Sequence, residues 1–381
     1  MTVDRKPGAG PKTLSATELE RYGRQLRLPQ VGLAGQQALA AARILVVGAG
    51  GLGSPVLAYL AAAGIGTLGI AEFDVVSRSN LQRQVLYDEA DVGLAKVWHA
   101  KRRLQAQNPG LAVEGHDSGV TPANAARLVT AYDLVVDCSD NFGTRYLLND
   151  ACRLSGRPLV HASIFQFEGQ VTVFAPQAPG CYRCLFPAPP EVAPNCADGG
   201  VLGVLAGTIG TLQATEALKV VLGIGRPLVG RLLVYDALAL QFQEFAIGPD
   251  PACPLCGPDP TIGDLSAAAA LVARFAPQET EEVPDDWELR SQDLPAWEDF
   301  LILDVQEHGA GTGLPNARRV PLSTLAAALA TLTTERPILA CCLSGESSKT
   351  AVRLLRAAGF TDSWSLRGGA LAIDPGDRPP T

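Results

Sequence analysis

Three thiols fall within CYRCLFPAPPEVAPNC, the stretch from Cys181 to Cys196. Cys181 and Cys184 stand at C-x-x-C spacing, and Cys253 and Cys256 in CPLC repeat it. Two such pairs offer four thiolates, which close a tetrahedral shell around a metal ion and leave no position for water, so the predicted centre is structural rather than catalytic. The pairs lie further apart than in a compact zinc ribbon, and a redox or disulfide role is the main competing reading, with an iron–sulfur site as a further one that has no supporting context. Cys196, in PNCADGG, belongs to neither pair. Its proline and glycine neighbours predict a loop thiol open to covalent chemistry, against the alternative of an ordinary buried cysteine. A further candidate thiol lies in CCLSGESS, where Cys341 and Cys342 stand between a predicted strand and a predicted helix and loop N–H groups and the helix dipole would stabilise a thiolate.

A second set of residues suits phosphate. GAGGLG fits G-x-G-x-x-G, with Gly48, Gly50 and Gly53 at the pattern positions and Gly51 between them. The first glycine permits a tight turn, the second lets backbone approach a phosphate, and the following helix supplies unpaired N–H groups. Glu72 lies where a ribose hydroxyl is held in this arrangement. Glycines and acid alone would suit NAD. However, SNLQRQ (Ser79, Asn80, Leu81, Gln82, Arg83, Gln84), Lys96 in GLAKV and the pair Asp140–Asn141 add cations, amides and a carboxylate. That set fits a triphosphate: Arg83 and Lys96 neutralise phosphate oxygens, and Asp140 offers a hard ligand to Mg²⁺. Taken singly, the cations read as solvated surface charges and Asp140 as a helix cap.

These groups need elements to hold them. ARILVVGAGGLGSPVLAYLAAAG reads as a strand covered on both faces, a glycine turn and a helix. TLGIAEFD, LAVEGH, DLVVDCSDN and PLVHASI read as further strands, and LAKVWHAKRRLQAQN as a helix. The alternation predicts an α/β fold with a doubly wound, mostly parallel sheet. After CPLCG an alanine-rich helical piece and the acidic QETEEVPDDWE predict a linker over 258–285. From about Trp287 a second, smaller α/β pattern begins: LILDV, STLAAALATL, PILACC and TAVRLLRAAGF. Cys138 and Cys152 are expected to pack in a strand and a helix.

Hydrophobic residues make up 47% of the chain and charged residues 18%, enough to bury a full core. The net charge of −8 argues against nucleic-acid binding. VLGVLAGTIGTLQAT is too short and too interrupted for a bilayer span and reads as a buried helix, so no membrane partner is expected. Residues 1–19 lack a signal-peptide core and read as a loose tail. An odd cysteine count of nine fits a reducing compartment, hence the cytoplasm.

RYGRQLRLPQVG, GAGGLGS, SNLQRQ, DCSDN, HASIFQFEGQVTVF and CYRC…CPLC, in that order over about residues 20–257, together resemble the ThiF/MoeB/HesA group. These are ubiquitin-activating-type adenylyltransferases that serve sulfur-carrier proteins. The resemblance implies a Rossmann-like fold and nucleotide contacts from Gly51, Glu72, Ser79, Asn80, Arg83, Lys96, Asp140 and Asn141. It implies Zn²⁺ on the four cysteines, a homodimer, and Arg24 reaching the neighbouring subunit's site. It further implies use of ATP with Mg²⁺ to adenylylate the C-terminal Gly-Gly tail of a β-grasp carrier, with Cys196 a candidate to attack the acyl-adenylate or join the carrier by a persulfide. Glu72 departs from the aspartate more usual in the group. Residues 286–381, with LPNARRVPL and FTDSWSLRGGALA besides CCLSGESS, resemble a rhodanese domain, in which Cys342 would carry persulfide sulfur, supplied for instance by a cysteine desulfurase. There Ser347 and Gln306 replace arginines, and the usual histidine is missing near Gly313. The pathway expected is molybdopterin, thiamine or thionucleoside synthesis. Two other classes compete: an NAD-dependent oxidoreductase, which Arg83, Lys96 and Asp140 count against, and a non-catalytic carrier-binding scaffold, which the phosphate-binding set counts against.

Overall fold

The structure, a computed structural model, describes residues 13–189, 200–275, 283–306, 311–330, 332, 335–374 and 377. They divide into two compact units, one of 13–189 with 201–275 and one from 283 onward. In the first unit an eight-stranded sheet runs in the order β3-β2-β1-β4-β5-β6-β7-β8. β1 (Arg43–Val47), β2 (Thr67–Ala71), β3 (Ala112–His116), β4 (Leu134–Asp137) and β5 (Leu159–Phe165) are parallel to one another. β6 (Glu168–Phe174), β7 (Arg231–Asp236) and β8 (Gln241–Ala246) extend the sheet antiparallel. This extension is absent from the expected pattern of strands alternating with helices.

Strand periodicity explains why β1 is apolar throughout. Ile44 and Val46 face one core, with the helices Gly53–Ala63 and Gly203–Leu222; Leu45 and Val47 face the other, with the helices Ala125–Thr130 and Phe142–Leu154. Both faces are covered, as a doubly wound sheet requires. Gly203–Leu222 is the apolar stretch read as a buried helix, and among the described residues no helix is long and apolar enough to cross a membrane.

Two boundaries differ from expectation. The stretch read as linker from 258 contains the helix Ser266–Phe275, which packs in the first unit with Ala268 fully buried. Gly143 permits that contact, because a Cβ there would lie 2.8 Å from the Val272 Cα. Alanine-rich composition marked a helix but not its docking site. At the N-terminus, residues 1–12 lie outside the described residues, yet the expected tail already contains the start of a helix, Ala16–Arg21, closed by a capping box between Ser15 and Glu18.

The second unit is a parallel five-stranded sheet in the order β11-β10-β12-β13-β9, formed by β9 (Glu288–Leu289), β10 (Leu301–Asp304), β11 (Arg318–Arg319), β12 (Ile338–Cys341) and β13 (Ser363–Leu366). Leu303 and Ala340 pack with Leu325 of the helix Leu322–Leu329 and Val352 of the helix Glu346–Ala357, while Ile302 and Leu339 face a separate cluster with Leu366.

Candidate active site and metal centre

The glycine loop leaves the C-terminal end of β1 and opens the helix Gly53–Ala63. Gly48 has φ +92°, and a Cβ there would sit 2.7 Å from the Cys138 carbonyl oxygen, so the loop presses against the end of β4. Gly51 brings the loop beside Arg83, whose Cγ lies 3.5 Å from where a Cβ would be. Glu72 is buried just beyond β2. Its Oε2 accepts from the Ala49 N–H at 2.9 Å, and its Oε1 accepts from the Phe73 and Asp74 N–H groups at 2.8 and 2.9 Å. Oε2 therefore keeps a lone pair for a ligand hydroxyl, while the longer glutamate arm folds back onto its own turn. The Tyr87 hydroxyl donates to the Ala49 carbonyl at 2.9 Å and clamps the loop from another side; burial raises its pKa, so it remains a donor.

The two cations differ. Arg83 is part-exposed and donates to the Ser79 carbonyl at 3.1 Å. Lys96 is not a solvated surface charge. It is buried at the start of the helix Lys96–Gln107, with its Nζ 2.5 Å from an Asp74 carboxylate oxygen. Asp74 also donates its N–H to Glu72, so Lys96 joins the site through that turn. Asp140 is exposed, and Asn141, not Asp140, caps the following helix by accepting from the Thr144 N–H at 2.8 Å. Ser79 and Gln82 are exposed, and Asn80 and Leu81 half-buried, on the same turn as Arg83. Arg24 is exposed on the short helix Gly23–Leu26.

The fold thus brings Gly48, Gly50, Gly51, Gly53, Glu72, Arg83 and Lys96 around the carboxyl ends of β1 and β2, where open α/β sheets bind ligands, with the Asp140 turn at the end of β4. Cys196 lies outside the described residues. Cys138 and Cys152 are buried, the first just past β4 and the second in the helix Phe142–Leu154. Asp74 and Tyr87 escaped the sequence reading. Asp74 had a signal, an acid beside Glu72 after a strand; Tyr87 had none, since its contact is made only in the folded chain.

Cys181, Cys184, Cys253 and Cys256 converge, with all four sulfurs within 4.8 Å of one another. The S···S separations include 3.9 Å for Cys181–Cys184, 3.7 Å for Cys181–Cys253 and 3.3 Å for Cys184–Cys256. Four sulfurs at about 2.3 Å from a central zinc ion would be about 3.8 Å apart, so the cluster fits a tetrahedral thiolate site. Burial pushes the Cys181 thiol up to about 12, a cost that a bound cation would offset. Arg183, inside the first C-x-x-C, pairs with buried Asp150 at 2.8 and 2.7 Å and anchors this knuckle to the helix Phe142–Leu154.

In the second unit Cys342 follows β12. Its sulfur accepts from the Gly345 N–H at 3.1 Å and lies 3.8 Å from the Ser348 hydroxyl. Gly345, at φ +91°, precedes the helix Glu346–Ala357, so the sulfur sits at a helix N-terminus as the spacing predicted. Cys341 is buried, and burial raises its thiol pKa.

The ThiF family model matches residues 22–255. A protein of Thermus thermophilus named sulfur carrier protein adenylyltransferase is 54% identical over 65% of this chain and 94% of its own length. A Mycobacterium tuberculosis protein named probable adenylyltransferase/sulfurtransferase MoeZ is 41% identical over 94% of this chain and 93% of its own, so the likeness spans both units. Among solved structures, Escherichia coli MccB with MccA-N7isoASN superposes with a TM-score of 0.57 at 22% identity, covering 65% of this chain and 76% of that one, a likeness of fold alone.

Proposed function

Because the chain belongs to the ThiF family, we propose that it is an ATP-dependent adenylyltransferase activating the C-terminal glycine of a ubiquitin-like sulfur carrier. The observation that carries this reading is that Glu72 and Arg83 lie against the glycine loop while Lys96 pairs with Asp74 on the Glu72 turn. Glu72 suits a ribose hydroxyl and the cations suit phosphates. The carrier's terminal carboxylate is already ionised at neutral pH and attacks the α-phosphorus. The bond to the bridging oxygen of the β-phosphate breaks, and pyrophosphate leaves. Arg83 and Lys96 stabilise the charge that builds on the phosphates, and Lys96 must exchange Asp74 for a phosphate oxygen as nucleotide enters. Mg²⁺, held from Asp140, would supply further charge neutralisation. Arg24 acts on the partner's site in a homodimer.

The four-cysteine centre holds Zn²⁺ and fixes the 181–184 and 253–256 turns together; it has no open position for chemistry. The second unit serves as a rhodanese-like sulfurtransferase. Cys342 carries persulfide sulfur taken from a donor such as a cysteine desulfurase; its outer sulfur attacks the activated carboxyl, giving an acyl disulfide as AMP leaves, and a second thiol then attacks the Cys342 sulfur, breaking the S–S bond to release the thiocarboxylate and leaving a disulfide on Cys342. Cys196 is the candidate for a covalent link to the carrier. The setting is the cytoplasmic synthesis of a sulfur-containing cofactor or thionucleoside.

ATP–pyrophosphate exchange tests the reading, with a panel of Gly-Gly-tailed carriers and the wild type, Cys196→Ala and Cys342→Ala proteins. Exchange by all three, with thiocarboxylate lost in Cys342→Ala, is expected. Absence of exchange with every carrier refutes adenylylation.

A further inference from the structure

A buried polar network underlies the Ser139–Asp140 turn, and none of its residues has a part in the activation steps described above. Asp137, the last residue of β4, is fully buried. Its Oδ1 accepts from the Ser139 N–H at 3.0 Å and the Ser139 hydroxyl at 2.6 Å, and its Oδ2 pairs with His161 Nδ1 of β5 at 2.8 Å. Gln213 donates to the Asp137 carbonyl and also accepts from the Cys138 thiol at 3.4 Å. Arg145 donates to the Ser139 carbonyl at 3.3 Å, and its charge lies near enough to act on the Tyr182 hydroxyl. Tyr182 in turn presents its ring edge-on to His161 at 5.0 Å.

We propose that His161 is a positioning residue for the nucleotide step, holding the Ser139–Asp140 turn in place through Asp137. A buried carboxylate must have its partners, and Asp137 has one set on the turn and the other on β5. His161 is 2% exposed, with its ring wedged against Tyr182, so the imidazole cannot swing away and Asp137 has one orientation. That orientation dictates where Ser139 sits, and the exposed Asp140 is the next residue, with the Asn141 cap fixing the far side of the turn. A histidine that merely filled the core would need no carboxylate, and a carboxylate that merely capped the turn would not need β5. This inference rests on the adenylylation reading only in naming Mg²⁺-ATP as the ligand that the turn serves.

The test compares His161→Leu, His161→Asn and Ser139→Ala with the wild type. Mg²⁺-ATP affinity is read by calorimetry, KM and kcat by pyrophosphate exchange, and zinc content by metal analysis. His161→Leu should weaken Mg²⁺-ATP about tenfold, the scale of a lost hydrogen bond to a charged group, with the KM for carrier and the zinc content unchanged. His161→Asn, whose amide donates from the place of Nδ1, should restore affinity to within about twofold, and Ser139→Ala should weaken it about threefold. Unchanged Mg²⁺-ATP affinity in His161→Leu overturns the proposal, as does unchanged affinity in Ser139→Ala should His161→Leu fail to fold. Equal weakening of carrier and nucleotide, or failure of His161→Asn to restore, also overturns it. A wild type that binds Mg²⁺-ATP but exchanges with no carrier refutes the adenylylation reading instead, and calorimetry still decides the role of His161.

Discussion

Gly48 and Gly51 sit in one loop, yet the structure gives them different work, and a pair of alanine substitutions separates the two. Gly48 lies at φ +92°, where an L-residue costs about 1–2 kcal/mol. Its new Cβ would also stand 2.7 Å from the Cys138 carbonyl oxygen, a backbone atom at the end of β4 that cannot rotate away. Overpacking of this kind costs about 1–3 kcal/mol. The sum for Gly48→Ala, about 2–5 kcal/mol, is a large part of a domain's net stability, and should lower the melting temperature of the first unit by roughly 5–15 °C. Gly51 has no such backbone demand. A Cβ there would lie 3.3 Å from the Ala206 Cβ and 3.5 Å from the Arg83 Cγ, so Gly51→Ala should change stability by less than about 1 kcal/mol. Its methyl group occupies the approach to Arg83, and Mg²⁺-ATP affinity should fall by about tenfold or more. Calorimetric melting and nucleotide titration of both variants are the assays. A Gly51→Ala protein that binds nucleotide as the wild type does, or a Gly48→Ala protein that melts unchanged, refutes the division of labour.

Lys96→Met should slow pyrophosphate exchange by about 10²-fold while costing at most about 1 kcal/mol in stability, because its partner Asp74 has a half-exposed side chain; exchange within threefold of wild type would contradict this. The purified chain should carry one zinc ion, with Zn–S distances of about 2.3 Å by X-ray absorption, and Cys184→Ser should lose it and destabilise the first unit by several kcal/mol; retention of stoichiometric zinc would be the adverse result. Stability should also depend on pH. Burial holds the His161 imidazole below its ordinary range, so the unfolded chain takes up a proton that the folded chain refuses, and stability declines as pH falls below about 6.5. Burial alone would raise Asp137, but the His161 hydrogen bond and the nearby Arg145 charge hold it below the usual carboxylate range, so its contribution persists until pH falls below about 3.9. Urea denaturation at about pH 7.5 and about pH 5.5 should show the loss in wild type and a smaller loss in His161→Asn.

Local chemistry was legible in the sequence wherever it depends on spacing along the chain. The C-x-x-C pairs, the glycine loop after an apolar strand and the thiol between strand and helix each specify geometry over a few residues, and the folded chain has them where spacing put them. The parallel strands were equally readable, because a strand buried on both faces must be apolar at every position, as Ile44, Leu45, Val46 and Val47 are. Contacts between distant segments were not legible. Nothing in GLAKV distinguishes a buried, paired lysine from a solvated one; the Asp74 turn, brought over by the fold, makes the difference. The docking of Ser266–Phe275 depends on the missing side chain of Gly143, far away in the sequence. HASI read only as a strand, and tertiary structure alone pairs its histidine with Asp137. Propensity and spacing act through covalent neighbours, whereas burial of a charge and choice of its partner are settled only when sheet and helices close around it.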